Sequence, residues 1–479
     1  SRNDWATAGF FGRINYSYDG KYLLEANLRA DGTSRFRKGN QWKTFPSFSL
    51  GWNVAREHFF EPLNNIVNIL KFRASYGLLG NQNTTNWYQT YQTMSVGSSN
   101  GAWLMNGNKP NTASAPGLVS ASLTWETIES YNLGLDWGVF NNRLTGSFDW
   151  YIRDTKNMVG NAPELPALLG TGVPITNNTD LRTSGWELSI GWNDRLNNGF
   201  TYGAKFNVSD ARTKITRYPN NPTKAVSTYI EGRYTNEIWG YTTVGLAKTD
   251  EEMQAHLATM PNGGQSALGS DWKAGDIMYA DINGDGKISS GSGTLNDTGD
   301  WTVIGNTTPR YLFGLDLNAS WKGFDLRMFF QGVMKRDFWQ GSTYLFGASN
   351  SGMWHATGIE SVSDYFRNDD TWSVQEGYQS PNLNSYLPRP LYSNKNLQTQ
   401  TRYLQSAAYI RLKNLQLGYT FPTRLTSRYG FQNLRIYFSG ENLWTGTSLV
   451  DQFDPETISG GSGGNGYPLS RTLSCGLSV

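Results

Sequence analysis

In this chain of 479 residues the one local motif with metal chemistry is ADINGDGKI, Ala280 to Ile288. Asp281, Asn283 and Asp285 take the first, third and fifth positions of an EF-hand-like loop. Gly286 supplies the sharp turn and Lys287 a backbone carbonyl. Position twelve is Ser292, where a calcium loop carries a bidentate glutamate. Calcium would therefore be held weakly here unless Asp297 or Asp300 folds back. The same residues also make a metal-free Asn/Gly turn, and both readings stand.

Other chemistry is sparse. The three histidines, His58, His256 and His355, occur in unrelated contexts, without metal-ligand spacing and without a candidate nucleophile beside them on a strand. The single cysteine, Cys475, excludes an internal disulfide framework and any cysteine-rich metal site. No catalytic residue is assigned and no cofactor is required. Trp87, Trp103, Trp239, Trp272, Trp339, Trp354 and Trp372 lie between the patterned segments, where a flat indole can stack on a sugar, meet a partner protein or pack against other loops.

These residues are set in an unusual composition. The chain carries 53 Gly, 18 Trp, 26 Tyr and 23 Phe, while charged residues make up 17%, against about 25% in ordinary soluble chains. With 41 Lys and Arg against 39 Asp and Glu, the balance offers no basic face for nucleic acid. Apolar runs are only a few residues long and mean hydropathy is −0.52, so no apolar helix of about 20 residues crosses a bilayer. No Pro-rich, Ser-rich or charge-block linker divides residues 1–479, which predicts one continuous architecture.

Periodicity supplies that architecture. Phe313, Leu315, Leu317, Ala319 and Trp321 alternate with Gly314, Asp316, Asn318 and Ser320, the period of a strand with two unlike faces. Leu133, Leu135 and Trp137 alternate in the same way with Gly134, Asp136 and Gly138, as Phe148, Trp150 and Ile152 do with Ser147, Asp149 and Arg153. About thirteen such strands are predicted, an all-β antiparallel fold. Their connections alternate short with long. Asp19-Gly20, residues 56–68, Asn141-Asn142, 197–199, Lys322-Gly323 and about 422–432 are the shorter ones. Residues 31–44, 80–121, 157–182, 213–308, 337–403 and 445–466 are the longer ones.

A soluble sandwich also alternates, but tight turns at one end and long loops at the other are the asymmetry of an outer-membrane β-barrel. That reading puts the long loops outside the cell, the chain's end on the periplasmic side, Leu315, Leu317 and Trp150 toward lipid, and Asp316, Asn318 and Asp149 toward a wet lumen. Arg13, Arg29, Arg73, Asp136, Asp149, Asp316, Arg327 and Arg435 then line that lumen, where rows of opposite charge hold neighbouring strands together. Cys475, in step with Leu473 and Leu477, falls on the apolar face.

A series of ordered blocks carries a family resemblance, among them FFGRINYSYDGKYLLEANLRADGTSRF from Phe10, FPSFSLGWNVA from Phe45, LKFRASYGLLGNQ from Leu70 and TWETIESYNLGLDWGVFNNRLTGSFDWYIRDTKNM from Thr124. They continue with VIGNTTPRYLFGLDLNASWKGFDLRMFFQG from Val303, YIRLKNLQLGYTFP from Tyr409, LRIYFSGENLWTG from Leu434 and FDPE at Phe453. The chain resembles the C-terminal barrel portion of SusC/RagA-type TonB-dependent outer-membrane transporters, nearly end to end. The resemblance implies a barrel of about 22 strands around an N-terminal plug, in the outer membrane of a Gram-negative bacterium. It also implies a SusD-like surface lipoprotein as lid, TonB as energy source, and oligosaccharides or peptides as cargo.

The plug and TonB box that the resemblance implies are expected to lie outside residues 1–479, and the sequence stops at Ser478-Val479 where family members usually end on an aromatic residue. Strand patterning, loop asymmetry and the family blocks together make lid-gated active import, not catalysis, the expected function. A passive porin is the runner-up, and a surface barrel enzyme or a soluble adhesive sandwich follow at a distance. The lid is expected on loops 213–308 and 337–403.

Overall fold

The computed structural model describes residues 4–84, 86–97, 104–346, 363–458 and 466–479. The alternating segments become thirteen strands: β1 Thr7–Tyr18, β2 Tyr22–Thr33, β3 Trp42–Asn53, β4 Val67–Asn81, β5 Glu126–Val139, β6 Leu144–Asn161, β7 Ile175–Arg195, β8 Thr201–Arg217, β9 Arg310–Trp321, β10 Phe324–Lys335, β11 Tyr409–Thr420, β12 Arg435–Thr447 and β13 Thr472–Ser478. They form one sheet in sequence order, as an up-and-down meander requires. The chain falls into two compact units. The first holds Ser1–Trp192, Asp210–Thr223 and Thr228–Thr235; the second holds Asn193–Ser209, Lys224–Ser227 and Asn236–Val479.

In the first unit, Tyr16, Leu24, Leu50, Ala74, Leu133, Trp150 and Trp186 stand opposite one another from β1 to β7. One residue away, Asn15, Glu25, Ser49, Ser75, Asn132 and Tyr151 form the parallel row on the other face. A one-residue slip would exchange these faces, so the apolar pattern itself sets the register. The turn after β1 places Asp19 and Gly20 at φ 54° and 61°. This is the left-handed pair that a two-residue hairpin needs to match strand twist. After β3, Val54, Ala55 and Phe60 bury against Val67 and Leu70, while Glu57 accepts Tyr22 Oη at 2.6 Å and Trp52 Nε1 at 3.0 Å.

At the opposite end of this unit Phe36, Phe45, Leu123 and Trp125 make a small core, with Trp125 Nε1 donating to the Gln41 carbonyl at 3.0 Å. The strands here outrun the sequence expectation. β6 and β7 extend to Asn161 and from Ile175, leaving 162–174 as the connection in place of 157–182. Pairing continues through Met158 with Thr179 and Gly160 with Thr176. Beyond the apolar band both faces are polar, so alternation vanishes while hydrogen bonding persists. Asn177 Nδ2 reaches the carbonyls of Asn157 and Thr124 at 2.7 and 2.9 Å.

The second unit repeats the two-faced pattern. Ala204, Leu317, Met328, Leu415, Gly440 and Leu473 share one row, and Gly203, Asn318, Arg327, Gln416, Ser439 and Ser474 the next. Cys475 pairs with Phe438, which pairs with Leu417, so it lies on the apolar face as expected.

This unit also carries folded loops. Short ladders join Glu237–Gly240 to Thr302–Asn306, Thr243–Leu246 to Ile277–Tyr279 and Asp337–Trp339 to Leu404–Ser406. A helix, α1, Asp250–Ala258, starts on Thr249, whose side chain accepts the Glu252 N–H, as an N-cap does. Met253, Ile277, Tyr279, Ile288, Phe346 and Tyr403 are fully buried in a shared core. Each such side chain stabilises by about 1.5–3 kcal/mol.

Candidate functional site

The polar face is built of charge rows that neutralise themselves across strands. Arg73 on β4 stands opposite Gly134 of β5, which stands opposite Asp149 of β6. Its guanidinium gives Nε and NH2 to Asp136 at 2.9 Å, and NH1 and NH2 to Asp149 at 2.9 and 2.8 Å. Arg13 meets Glu25 at 2.6 Å, Arg29 meets Asp31 at 2.6 Å, Arg327 meets Asp316 at 2.6 Å and Arg435 meets Asp325 at 2.5 Å. Each of the eight residues expected from the sequence thus sits in an ion pair; all of these pairs join different strands except Arg29–Asp31, which lies within β2. The resulting surface is polar, with its charges paired.

In the second unit the long loops fold into a cap around their shared core, and the tryptophans divide accordingly. Trp272 is 7% exposed. Its Nε1 donates to the Gly269 carbonyl at 2.9 Å and its ring carries Lys395 Nζ at 4.5 Å. It is a packing residue of the cap, which corrects its expected part as a substrate or lid contact. The physical reason is that Ile277 and Tyr279 of the short ladder need a large partner on the loop side. Trp239 and Trp339 are half-buried, Trp339 packing on Phe346 at 6.2 Å. Trp372 stays 67% exposed, tilted against exposed Tyr378 at 5.5 Å. Trp103 and Trp354 lie outside the described residues.

Beneath the Trp272 ring is a buried charge cluster with no local sequence signal. Asp276 is fully buried and takes Arg389 Nε, Asn396 Nδ2 and Lys395 Nζ at 2.8 to 2.9 Å. Burial pushes its carboxyl up, but these three partners outweigh that and hold it below the usual aspartate range.

The DINGDG loop closes on its own backbone. Asp281 accepts the N–H groups of Gly284 and Gly286 at 2.7 and 2.8 Å, Asn283 that of Asp285 at 3.0 Å, and Asp285 that of Lys287 at 3.1 Å. Asp300 gives both oxygens to the Ile282 and Ser289 N–H groups, and Asp297 accepts from Ser292, each at 2.8 Å. Burial raises the Asp300 carboxyl above its ordinary value. Among the described residues no three His, Cys, Asp or Glu side chains converge as a metal cage would. The donors present fit a hydrogen-bonded turn.

A tether missed by the sequence reading ties the FDPE segment to β11. Arg411, 3% exposed, gives NH2 to Asp454, NH1 to Glu456 and Nε to Thr445 Oγ1, each at 2.8 Å. Lys413 adds a second cation to Glu456 at 3.0 Å. Leu449, Phe453 and Ile458 then insert into the cap core. Burial disfavours the Asp454 charge, yet the Glu456 N–H and Arg411 hold its carboxyl low. The signal available was the block FDPE itself, two acids flanking a proline, together with two cations two residues apart on a strand.

At the loop end of the first unit, Trp87 stands 6.5 Å from Trp5, which also covers the Arg35 guanidinium at 4.3 Å. Tyr88 Oη accepts the Asp4 N–H at 3.1 Å and donates to its carbonyl at 2.7 Å. Arg37 gives Nε to the Thr90 carbonyl at 2.9 Å. This aromatic and cationic cluster was only partly foreseen, through Trp87.

Residues 1–328 match the family model for the TonB-dependent receptor-like β-barrel. TonB-dependent receptor P3 of Formosa agariphila is 29% identical over 500 residues, covering 100% of this chain and 46% of the relative. The TonB-dependent receptor SusC of Bacteroides thetaiotaomicron is 27% identical over 478 residues, covering 98% and 43% respectively. A solved structure of the RagAB peptide transporter superposes with a TM-score of 0.73 at 24% identity, over 99% of this chain and 47% of that one. The likeness in structure shows the fold. The chain spans less than half the length of these relatives.

Proposed function

The chain belongs to the TonB-dependent receptor-like β-barrel family of the outer membrane, and on that premise we propose that it forms barrel wall and outer loops of a SusC/RagA-type active importer. The cargo is oligosaccharide or peptide, a SusD-like lipoprotein serves as the lid, and the energy comes through TonB. The observation that carries this reading is the register. In each unit one face is an unbroken apolar row and the next a row of polar and ion-paired groups, as a wall between lipid and water requires. The relatives named for TonB and the RagAB peptide transporter support the coupling and the cargo class.

The lid reading now rests on a smaller surface than the loops as a whole, because the cap orders itself through its own core. Trp372, Tyr378 and Tyr392 remain exposed on 363–407 and are the aromatic groups a lid or sugar would meet. Uptake of labelled oligosaccharides and peptides by cells with and without the intact gene tests the function, repeated with a protonophore. Gene-dependent uptake that stops when the proton gradient collapses is expected. Uptake that persists without the gradient would establish the passive porin instead.

A further inference from the structure

One arginine at the loop end of the first unit is buried without an anion. Arg73, Arg182 and Arg217 in the same unit each meet a carboxylate at 2.7 to 2.9 Å. Arg35 is 8% exposed and pairs with none among the described residues. Its NH1 makes three long contacts, to Asn83 Oδ1 at 3.5 Å, the Thr84 carbonyl at 3.4 Å and Thr84 Oγ1 at 3.3 Å. Its Nε has no hydrogen-bond partner. A buried charge left this way is costly, and proteins neutralise it with a counter-ion.

The surroundings are incomplete in the same place. Gln82 Oε1, Gln89 Oε1 and Thr90 Oγ1 are also buried without partners, in the loop that Arg35 reaches through Asn83 and Thr84. Trp5 covers one face of the guanidinium, with Trp87 beside it. A guanidinium held flat by an aromatic ring points its N–H edge in a fixed direction. Such an edge offers parallel donors that match the two oxygens of a carboxylate.

We propose that Arg35 is a recognition site for a carboxylate on the imported oligomer, with Trp5 and Trp87 stacking on the group that bears it. The inference rests on the import reading and narrows the cargo to acidic oligomers. A carboxylate reaches this site from a uronic-acid sugar or from an acidic peptide. Its oxygens replace the long Thr84 and Asn83 contacts and satisfy Nε, while the orphaned Gln and Thr groups face the neutral part of the cargo.

The test uses the full-length transporter, purified and also in its own membrane, with four probes: tetragalacturonate, its carboxyl-reduced form, tetraglutamate and tetraglutamine. One acidic probe is expected to bind at least about tenfold tighter than its neutral counterpart, and the member of the pair identifies the source. Arg35→Gln should abolish that preference, so that the acidic and neutral members of the pair bind alike. Arg35→Lys, which keeps the charge without the paired edge, should lose most of it and decides the matter if the glutamine variant fails to assemble. Preference that survives both substitutions overturns the site. Equal binding of acidic and neutral probes overturns the site alone and leaves import standing. If none of the four is bound or imported, the site falls together with the import reading.

Discussion

Arg73 lies across Gly134. A Cβ at residue 134 would fall 2.6 Å from the Arg73 Cζ and 2.7 Å from Asp149 Oδ1, so the missing side chain is what lets one guanidinium bridge Asp136 and Asp149. Glycine in a strand interior otherwise weakens pairing, and here it admits a charge-assisted bridge over three strands.

Gly134→Ala should therefore push Arg73 off Asp149 and destabilise the protein by about 1–2 kcal/mol, measured by thermal or denaturant unfolding in detergent. Asp149→Asn should cost much less in the Gly134→Ala background than alone, because the two changes remove the same bridge. Additive losses would separate the glycine from the ion pair.

The Arg411 tether makes a sharper prediction. Arg411→Met leaves Asp454 and Glu456 without their main cation, and breaking a buried pair from one side costs about 3–5 kcal/mol. Most of that loss should be local. Hydrogen exchange across 448–458 is expected to rise while the strand amides of β2 to β4 stay protected. Uniform loss of protection would show that the tether holds more than the cap.

Acid should loosen the cap by the same chemistry. Asp276 and Asp454 both have carboxyls lowered by their partners. Their contribution is complete above the ordinary aspartate pKa of about 3.9 and is lost as pH falls toward their lowered values. Asp300, raised by burial, works in the opposite sense and favours the fold as it protonates. Proteolysis of the cap should thus be slow from neutral pH down to about 5 and accelerate below about 4, and Asp276→Asn should flatten that dependence.

The DINGDG turn is held by its own N–H groups, so removing calcium with EDTA should leave the cap's hydrogen exchange unchanged. Asp281→Ala, which strands the Gly284 and Gly286 N–H groups, should destabilise the turn by about 1–3 kcal/mol. Calcium titration followed by exchange at 280–300 checks both. A calcium-dependent gain in protection would show that a cation completes the loop.

The wall was legible in the sequence because its physics is periodic. Apolar alternation on Leu315 and Leu317 or Leu133 and Trp150 encodes strand, face and register together. Where both faces turn polar, as at Asn177 to Asp180, the pattern carries no contrast and strand ends were read short. The cap was illegible for a different reason. Its core gathers Met253, Tyr279, Phe346 and Tyr403 from segments far apart in sequence, and its buried Asp276, Lys395 and Arg389 are recognisable only once brought together. Trp272 shows the limit at one residue: exposed and buried tryptophans look alike until their neighbours are known.

The account stands on which face of the sheet meets lipid. Leu133 pairs with Ala74 and Trp150, and its neighbour Asn132 with Ser75 and Tyr151, so one arginine placed at either position differs only in the face it enters. At mid-membrane a lipid-facing arginine costs about 2–4 kcal/mol. Heat-resistant assembly of the full-length protein into outer membranes should fall sharply for Leu133→Arg and stay near wild type for Asn132→Arg. Equal assembly of the two, or the reverse order, would contradict the reading of this chain as a wall between lipid and water.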